Sequence, residues 1–160
     1  MDEYKLWYSG SERRRNDVGI LVDEELREQV VEINRVSDGG ITIKLVIGGF
    51  MVNICIAYTP QVGLDEEEKR RFWDILDEVF SSVPSSEKIF IGGDFNGHIG
   101  ALPVGYGEVH GGFGFRDRND AGAVLLDFTR AFELVVVNTY FSKEEEHLVT
   151  FCSRLAKTQI

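Results

Sequence analysis

The sequence predicts an α/β or α+β sandwich, and three observations lead to that fold class. The first is a series of short runs in the first third of the chain that are rich in aromatic and β-branched residues, one of which, residues 41–46, alternates apolar and polar positions. The second is a change to a period of 3.6 residues after Thr59-Pro60, and the third is the alternation of helical and β-rich segments that follows. Sheets with one apolar face need helices to cover them, and this order of segments provides such helices.

Five β-rich runs come first. They are residues 4–8, 18–22, 30–33, 41–46 and 51–58. The pair Gly48-Gly49 lies between the last two runs, and two glycines at that place predict a two-residue β-hairpin. Residues 24–29 are long enough for one helical turn.

Helices are predicted at two places further along the chain. The apolar stripe of the first helix consists of Phe72, Ile75, Leu76, Val79 and Phe80. Their spacing of i, i+3, i+4, i+7 and i+8 puts them on one face of a helix that packs on a core. A second helix is expected over residues 120–132, and short strands over residues 88–91, 134–137 and 148–151. Residues 94–119 are glycine-rich, and their apolar residues show neither helical nor strand periodicity. A loop of that length inside a domain is typical of a functional segment.

Composition limits the organisation of the chain and its partners. A chain of 160 residues is long enough for one hydrophobic core and too short for two, so we expect residues 1–160 to form one domain. A hydrophobic fraction of 43% and a charged fraction of 28% are those of a globular chain. The net charge of −10 excludes a protein that binds nucleic acid through a broad basic surface. A polyanion would have to be held locally, by a metal ion or a small basic patch.

The chain shows no signal for export or for a membrane. Its N-terminus, Met-Asp-Glu, has no basic region followed by an apolar core, and no apolar run approaches the ~18 residues of a membrane helix. Cys55 and Cys152 lie in apolar runs without C-x-x-C spacing, which predicts buried thiols in a reducing compartment rather than a disulfide. We therefore expect a nuclear or cytoplasmic protein without a membrane partner.

A carboxylate and a carboxamide follow the strand predicted at residues 88–91. In Gly92-Gly93-Asp94-Phe95-Asn96 they are two positions apart, and in extended backbone such side chains point the same way. A carboxylate can orient and deprotonate a water molecule while a carboxamide donates to a phosphate oxygen, and flanking glycines allow a substrate to approach. The alternative is a turn in which Asp94 and Asn96 hydrogen-bond to their own backbone. From these residue types alone, both interpretations stay open.

The same motif resembles the Gly-Asp-x-Asn signature of the endonuclease/exonuclease/phosphatase superfamily, whose fold is the four-layer sandwich of deoxyribonuclease I. Ala57-Tyr58-Thr59-Pro60 is similar to the strand end that carries the active-site tyrosine, and Leu148-Val149-Thr150-Phe151 to the stretch before a later catalytic aspartate. The resemblance runs from about residue 6 to residue 160. Residues 60–64, 90–94 and 109–114 further resemble plant proteins described as craniofacial development protein 2-like, which are related to endonuclease domains of LINE-type retrotransposons.

The resemblance implies an incomplete fold of this type, with two mainly antiparallel β-sheets flanked by helices. It also implies hydrolysis of a phosphodiester bond with Mg²⁺ or Mn²⁺, in which an activated water attacks phosphorus in line with the leaving oxygen. By position, Asp94 would activate the water and Asn96 would bind the scissile phosphate, and both would be metal ligands. The Tyr58 hydroxyl would donate to a phosphate oxygen or assist the leaving group, and Thr150 would be a weaker phosphate contact. Without the other motifs, Tyr58 is an ordinary amphipathic residue at the end of a strand.

Several residues of the superfamily have no counterpart here. Its principal metal ligand is a glutamate on a strand that precedes the segment matching residues 6–8, and a later aspartate and the catalytic histidine would follow residue 160. Two oxygen ligands make a poor Mg²⁺ site, so we expect weak metal binding. The prediction is a feeble or inactive nuclease with nucleic acid as its substrate, DNA in preference to RNA. The alternative is a non-catalytic remnant that acts as a binding or interaction module.

Other polar residues of the long loop allow two interpretations each. Arg118 and Asn119 either contact a phosphate backbone or cap and flank the helix that follows. His98 and His110 are weak candidates to replace the missing histidine, and we expect solvent exposure or a hydrogen bond within the loop instead. A sandwich that lacks strands would also leave sheet edges exposed, which predicts self-association.

Overall fold

The computed structural model describes residues 4–10, 17–59, 66–144, 147, 151–152 and 157–158. The chain divides into two units, Met1–Asp94 and Phe95–Ile160. The four-stranded sheet and a separate two-stranded sheet belong to the first unit. The second unit contains one long helix and the glycine-rich loop.

The first unit consists mostly of antiparallel strands. Its elements are β1 (Tyr4–Ser9), β2 (Val18–Asp23), α1 (Glu24–Arg27), β3 (Val30–Ser37), β4 (Gly40–Ile47), β5 (Phe50–Tyr58), α2 (Glu66–Ser81) and β6 (Lys88–Asp94). β1 and β2 pair with each other, and the other four strands form a sheet of order β3-β4-β5-β6. β3, β4 and β5 are antiparallel neighbours, whereas β6 follows α2 and runs parallel to β5. A parallel neighbour requires such a crossover, because a tight turn joins only antiparallel strands.

The core of this unit lies between its two sheets. Ile41, Ile43 and Leu45 alternate along β4 and are at most 2% exposed, and they cluster with Ile20 and Val22 of β2. Residues at every second position of a strand point to one face, so the alternation in the sequence is the direct cause of this packing. Each buried side chain of this size stabilises the fold by about 1.5–3 kcal/mol. The cluster holds the β1–β2 sheet against β4 and β5.

α2 packs beside the opposite face of the four-stranded sheet. Its buried residues are Phe72, Leu76 and Phe80. All three belong to the predicted stripe, which confirms the first helix. Val79 of α2 lines a cavity of about 230 Å³ together with Thr42 and Cys55 of the sheet.

A polar cluster precedes β6 and ties it to β4 and β5. The Glu87 carboxylate accepts a hydrogen bond of 2.8 Å from Asn53 and forms an ion pair of 3.0 Å with Lys44. The hydrogen bond from Asn53, and then the contacts with Lys44, lower the pKa of the Glu87 carboxyl. The carboxylate therefore stays ionised and keeps both partners at neutral pH.

One helix organises the second unit. Its elements are α3 (Asp120–Ala131), a 3₁₀ turn (Val137–Tyr140), and two short antiparallel strands, β7 (Phe151–Cys152) and β8 (Lys157–Thr158). Leu126 of α3 is fully buried, and Val109 of the loop is nearly so. Hydrogen bonds tie the loop of residues 95–119 to the start of α3 and to the segment around the 3₁₀ turn. These hydrogen bonds satisfy backbone groups of the loop that have no partner in a helix or a sheet.

The α/β fold class is confirmed, but the strand predicted at residues 134–137 is wrong. In this segment only Val136 forms a β-bridge, an isolated one with His110, and a 3₁₀ turn begins directly after it. Thr139 stabilises the turn, because its backbone N–H and its hydroxyl both donate to the Val136 carbonyl. A local side-chain bond of this kind competes successfully with strand pairing.

Two other predicted boundaries also change. β6 continues past the predicted residues 88–91 to Asp94, because Gly92-Gly93 keeps its register with β5. Of the strand predicted at residues 148–151, residues 148–150 lie outside the described part of the chain, and Phe151 begins β7. No helix among the described residues is long and apolar enough to cross a membrane.

The thiol of Cys55 is expected to make stability fall at high pH. Cys55 is a free, buried cysteine, as predicted, and its burial raises its pKa from 9.0 to about 12. Below pH 9 the Cys55 thiol is neutral in both the folded and the unfolded chain, so its stabilising effect is fully present there. Above that pH the unfolded chain loses the proton first. The free energy of unfolding should therefore fall by about 1.4 kcal/mol for each pH unit between roughly 9 and 12.

Urea unfolding as a function of pH measures this effect. The comparison is between Cys152→Ser, which leaves Cys55 as the single thiol, and the same chain with Cys55→Ala. The loss of stability above pH 9 should be steeper while Cys55 is present, and equal slopes would contradict the prediction. Iodoacetamide should also alkylate the native Cys55 thiol on the order of 1000-fold more slowly than the unfolded one, because the thiolate fraction falls with the raised pKa.

Candidate functional site

Tyr58 and Asp94 end two neighbouring strands of the first unit. Each is the last residue of its strand, and the two are register partners in the parallel β5–β6 pair. Neighbouring strands lie about 4.8 Å apart, and register partners point to the same face. The phenol and the carboxylate therefore leave the sheet side by side, and both are half-buried. The carboxyl ends of parallel strands are the edge at which open sheets bind ligands.

The glycine pair before Asp94 lets β6 run close to β5. Gly93 has a φ of 151°, and a Cβ there would overlap with the carbonyl oxygen of Ala57. A Cβ at Gly92 would lie 3.3 Å from Cδ1 of Ile56. The backbone N–H of Thr59 donates to the carbonyl oxygen of Asp94 at 2.9 Å, so the two strands stay joined beyond their last residues. The glycines of the motif therefore position Asp94 through backbone geometry.

Asn96 does not continue the extended backbone of β6. Its φ of 47° lies in the left-handed region, which asparagine tolerates better than most residues. Because β6 ends at Asp94, the alternation that would align the two side chains does not extend to Asn96. Asn96 belongs to the second unit of the chain. Thr150, the predicted weaker phosphate contact, lies outside the described residues.

The donor set at this strand edge is small. Within the described part of the chain, no three His, Cys, Asp or Glu side chains converge as the ligands of a metal ion do. Mg²⁺ prefers six oxygen ligands, usually with one or two carboxylates and the substrate phosphate among them. Asp94 supplies one carboxylate to this edge. These residues do not fit a tightly bound Mg²⁺ or Mn²⁺.

Asn119 is the N-cap of α3, which is one of the two roles that the sequence allows. Its Oδ1 accepts hydrogen bonds from the backbone N–H groups of Gly122 at 2.8 Å and His98 at 3.0 Å. Its own N–H donates to the His98 carbonyl oxygen at 3.0 Å. A cap of this type stabilises a helix by about 1 kcal/mol. His98 is thus held through its backbone, as part of the loop that leads into α3.

Arg118 and Arg130 lie over the ring of Tyr106, but only one of them is neutralised. The guanidinium carbon is 4.7 Å from the ring centroid for Arg118 and 4.9 Å for Arg130. Arg130 pairs with Asp127 at 2.7 Å and with Glu108 at 3.8 Å. The Tyr106 hydroxyl also donates to Asp127, and this hydrogen bond raises the pKa of the phenol.

Arg118 differs from Arg130 in its charged neighbours. Its guanidinium donates to the carbonyl oxygen of Val104 at 3.1 Å, and in the described part of the chain no carboxylate pairs with it. An aromatic ring and one carbonyl hold the planar group in place, and neither contact carries a negative charge. Such a group can still form charge-assisted hydrogen bonds to a phosphate.

The His110 side chain is buried inside the loop and makes hydrogen bonds there. Its side chain is 1% exposed, its Nε2 lies 3.1 Å from the carbonyl oxygen of Gly100, and its Nδ1 accepts the N–H of Gly112 at 3.1 Å. These contacts assign the neutral tautomer with the proton on Nε2. Both ring nitrogens are therefore engaged inside the loop, so the alternative of a loop hydrogen bond is found for His110, a weak candidate to replace the missing histidine.

The chain was also compared with known proteins. No family model matches it. It is 28% identical over 153 residues to craniofacial development protein 2 of Bos taurus, and equally to that of Tragulus javanicus. The alignment covers 95% of this chain and 26% of each relative, so the chain spans about a quarter of the length of these curated relatives. Over 153 of its residues, therefore, the chain is similar to craniofacial development protein 2.

Proposed function

We propose that the chain carries part of a phosphodiesterase site of the endonuclease/exonuclease/phosphatase type, with nucleic acid as its substrate and DNA preferred over RNA. The observation that supports this proposal is the pairing of Tyr58 with Asp94 at the carboxyl ends of β5 and β6. We further propose that this site is of the kind found in LINE-type endonuclease domains, to which the plant proteins resembled by residues 60–64, 90–94 and 109–114 are related.

The two side chains have complementary chemistry for this reaction. A carboxylate accepts a proton from a water molecule and orients it toward phosphorus, and Asp94 would take this role. A phenol donates a hydrogen bond to a phosphate oxygen as negative charge develops, and Tyr58 would take that role. Their adjacent strands fix the separation of the two groups, which is the condition for acting on one phosphate.

The proposed activity of this chain is weak. One carboxylate and one phenol supply no positive charge to the reacting phosphate, and among the described residues the donor set does not fit a tightly held metal ion. Mg²⁺ or Mn²⁺, if it is recruited, would depend on substrate oxygens for most of its ligands. Asn96 as a phosphate contact remains a prediction from the resemblance alone.

Nicking of a supercoiled plasmid tests the proposal. The full chain is incubated with plasmid and either Mg²⁺ or Mn²⁺, and the nicked fraction is followed over time. We expect slow cleavage that depends on the metal ion, and a loss of about 100-fold or more in rate for Asp94→Asn and for Tyr58→Phe. Circular dichroism of each variant shows whether its fold is kept.

The same two kinds of substitution, made outside the candidate site, control for the loss of a charge or of a hydroxyl group. Asp77→Asn changes an exposed carboxylate on α2, and Tyr140→Phe changes an exposed phenol of the 3₁₀ turn. Both variants should nick at the rate of the unaltered chain. Nicking at the unaltered rate by Asp94→Asn would contradict the role proposed for Asp94, and no nicking with either ion would reject catalysis by this chain.

A non-catalytic binding module is the second candidate, and Arg118 is the observation that favours it. Its guanidinium is held by Tyr106 and Val104 but lacks a carboxylate partner among the described residues, so it is available to a phosphate group. Because the net charge of the chain is −10, contacts of this kind would be few and sensitive to salt. This candidate predicts retention of DNA at low salt without any nicking in the assay above.

A further inference from the structure

Arg35 of β3 carries an exposed positive charge that no carboxylate of the described chain neutralises. Its Nε donates to the carbonyl oxygen of Tyr8 in β1 at 2.8 Å, and this contact holds the guanidinium in place. The ion pairs of the described residues involve other cations. A guanidinium has five N–H donors, so the four on the Nη atoms of Arg35 can bind an anionic ligand.

Arg35 projects from the same face of the four-stranded sheet as Tyr58 and Asp94. Its register partner on β4 is Ile41, which is buried in the core between the two sheets. Ile41 pairs in turn with Ile56 of β5, which packs against that core. Tyr58 lies two positions beyond Ile56, and Asp94 is its register partner on β6. Because register partners and residues two positions apart point to one face, the cation, the phenol and the carboxylate share that face.

The spacing of these side chains suits two phosphate groups of one nucleic-acid strand. Two strand spacings of about 4.8 Å and two residues of about 3.4 Å each place the Cα atoms of Arg35 and Tyr58 about 12 Å apart. A third strand spacing places Asp94 about 16 Å from Arg35. One strand of a duplex carries a phosphate every ~3.4 Å along the axis, so phosphates a few nucleotides apart span this range. A small phosphodiester has a single phosphate group and cannot contact both ends of the surface.

Several other cations of the first unit lack this combination of position and free charge. Three of them form ion pairs with glutamates, and one lies at the end of β6 that is far from Asp94; they are Arg27, Lys44 and Lys69, and Lys88. In a chain with a net charge of −10, an unpaired arginine on the face of the candidate site is therefore a specific feature.

We propose that Arg35 is a phosphate-binding residue of the candidate site, and that the substrate class is a polynucleotide rather than a small phosphodiester. Arg35 would hold the backbone a few nucleotides from the bond on which Asp94 and Tyr58 act. Contacts of this kind fix the register of a nucleic acid on a protein without reading its sequence. The inference rests on the proposed function, because Asp94 and Tyr58 define the bond that is cleaved.

Binding of a duplex without cleavage tests the contact. Fluorescence anisotropy follows a labelled DNA of about 12 base pairs, titrated with the full chain in EDTA from about 25 to 150 mM NaCl. We expect a dissociation constant on the order of 10 µM at the lowest salt. Arg35→Gln should weaken binding about 10-fold and make the slope of log K against log [NaCl] shallower by about 0.9, which is the loss of one phosphate contact. Arg35→Lys keeps the charge and should keep the slope.

Arg71→Gln is the matched control for the loss of an arginine. Arg71 is exposed on α2, which packs beside the opposite face of the sheet, so this variant should bind the duplex like the unaltered chain. Circular dichroism shows whether each variant keeps its fold. A dinucleotide, which has one phosphodiester group, should displace the labelled duplex at least about 10-fold less well than unlabelled duplex does at equal phosphate concentration.

Three results would overturn the proposal. They are equal salt slopes for Arg35→Gln and the unaltered chain, equal competition by the dinucleotide and the duplex, and no binding of the duplex by the unaltered chain. The nicking assay reports separately on Asp94 and Tyr58. A chain that never nicks but whose salt slope changes with Arg35→Gln would reject catalysis and support the phosphate contact.

Discussion

Gly93→Ala is expected to destabilise the first unit by about 3 kcal/mol, among the largest effects of any single methyl group in this chain. The added Cβ would overlap with the carbonyl oxygen of Ala57, and the φ of 151° is one that alanine rarely adopts. Relief of the overlap requires β6 to move away from β5. The register that places Asp94 beside Tyr58 would be lost with this movement.

Urea unfolding followed by far-ultraviolet circular dichroism measures the change. Gly107→Ala is the control, because a Cβ at that position meets no atom within 4 Å and its backbone is not in the left-handed region. This control should change the free energy of unfolding by less than about 0.5 kcal/mol. Equal unfolding midpoints for the two variants would mean that β6 does not approach β5 as described.

Gly122→Ala is expected to destabilise the second unit by about 2–3 kcal/mol, although the same change in an ordinary helix adds about 1 kcal/mol of stability. The reason is a close approach at the start of α3. A Cβ at Gly122 would overlap with the carbonyl oxygen of His98, which accepts the N–H of Asn119. The substitution therefore separates the loop from the helix that it caps.

The opposite substitution at the preceding residue, from alanine to glycine, is the control for helix propensity. Ala121→Gly lies in the same turn of α3 and should cost about 1 kcal/mol through helix propensity alone. Gly122→Ala should thus be the more damaging of the two, as measured by thermal unfolding. A stabilising effect of Gly122→Ala would contradict the tight contact between His98 and the helix.

The strands of the first unit could be predicted because their local pattern and their packing agree. Ile41, Ile43 and Leu45 alternate in the sequence and are buried on one face, and both glycines of the Gly48-Gly49 turn have the positive φ that a two-residue hairpin requires. The segment at residues 134–137 looks equally β-rich, but it forms only a single bridge before a 3₁₀ turn begins. Strand formation needs a partner strand, and periodicity says nothing about partners.

The candidate site was predictable in part. Asp94 and Tyr58 were identified from short motifs, but their position side by side depends on the parallel register of β5 and β6, which no local pattern contains. Asn119 directly precedes the apolar period of α3, so its capping role could be recognised as one of two alternatives. His110 was not recognisable as a buried cross-link, because its partners are backbone atoms of Gly100 and Gly112.

The parallel position of β6 also has a consequence for the order of folding. β4 and β5 are joined by a two-residue turn, whereas Val52 of β5 pairs with Lys88 of β6, 36 residues further along the chain. Contacts that close long loops cost more entropy and form later than local ones. The antiparallel meander can therefore exist before the pair of Tyr58 and Asp94 does. Partial opening that releases β6 alone would dismantle the candidate site while most of the sheet persists.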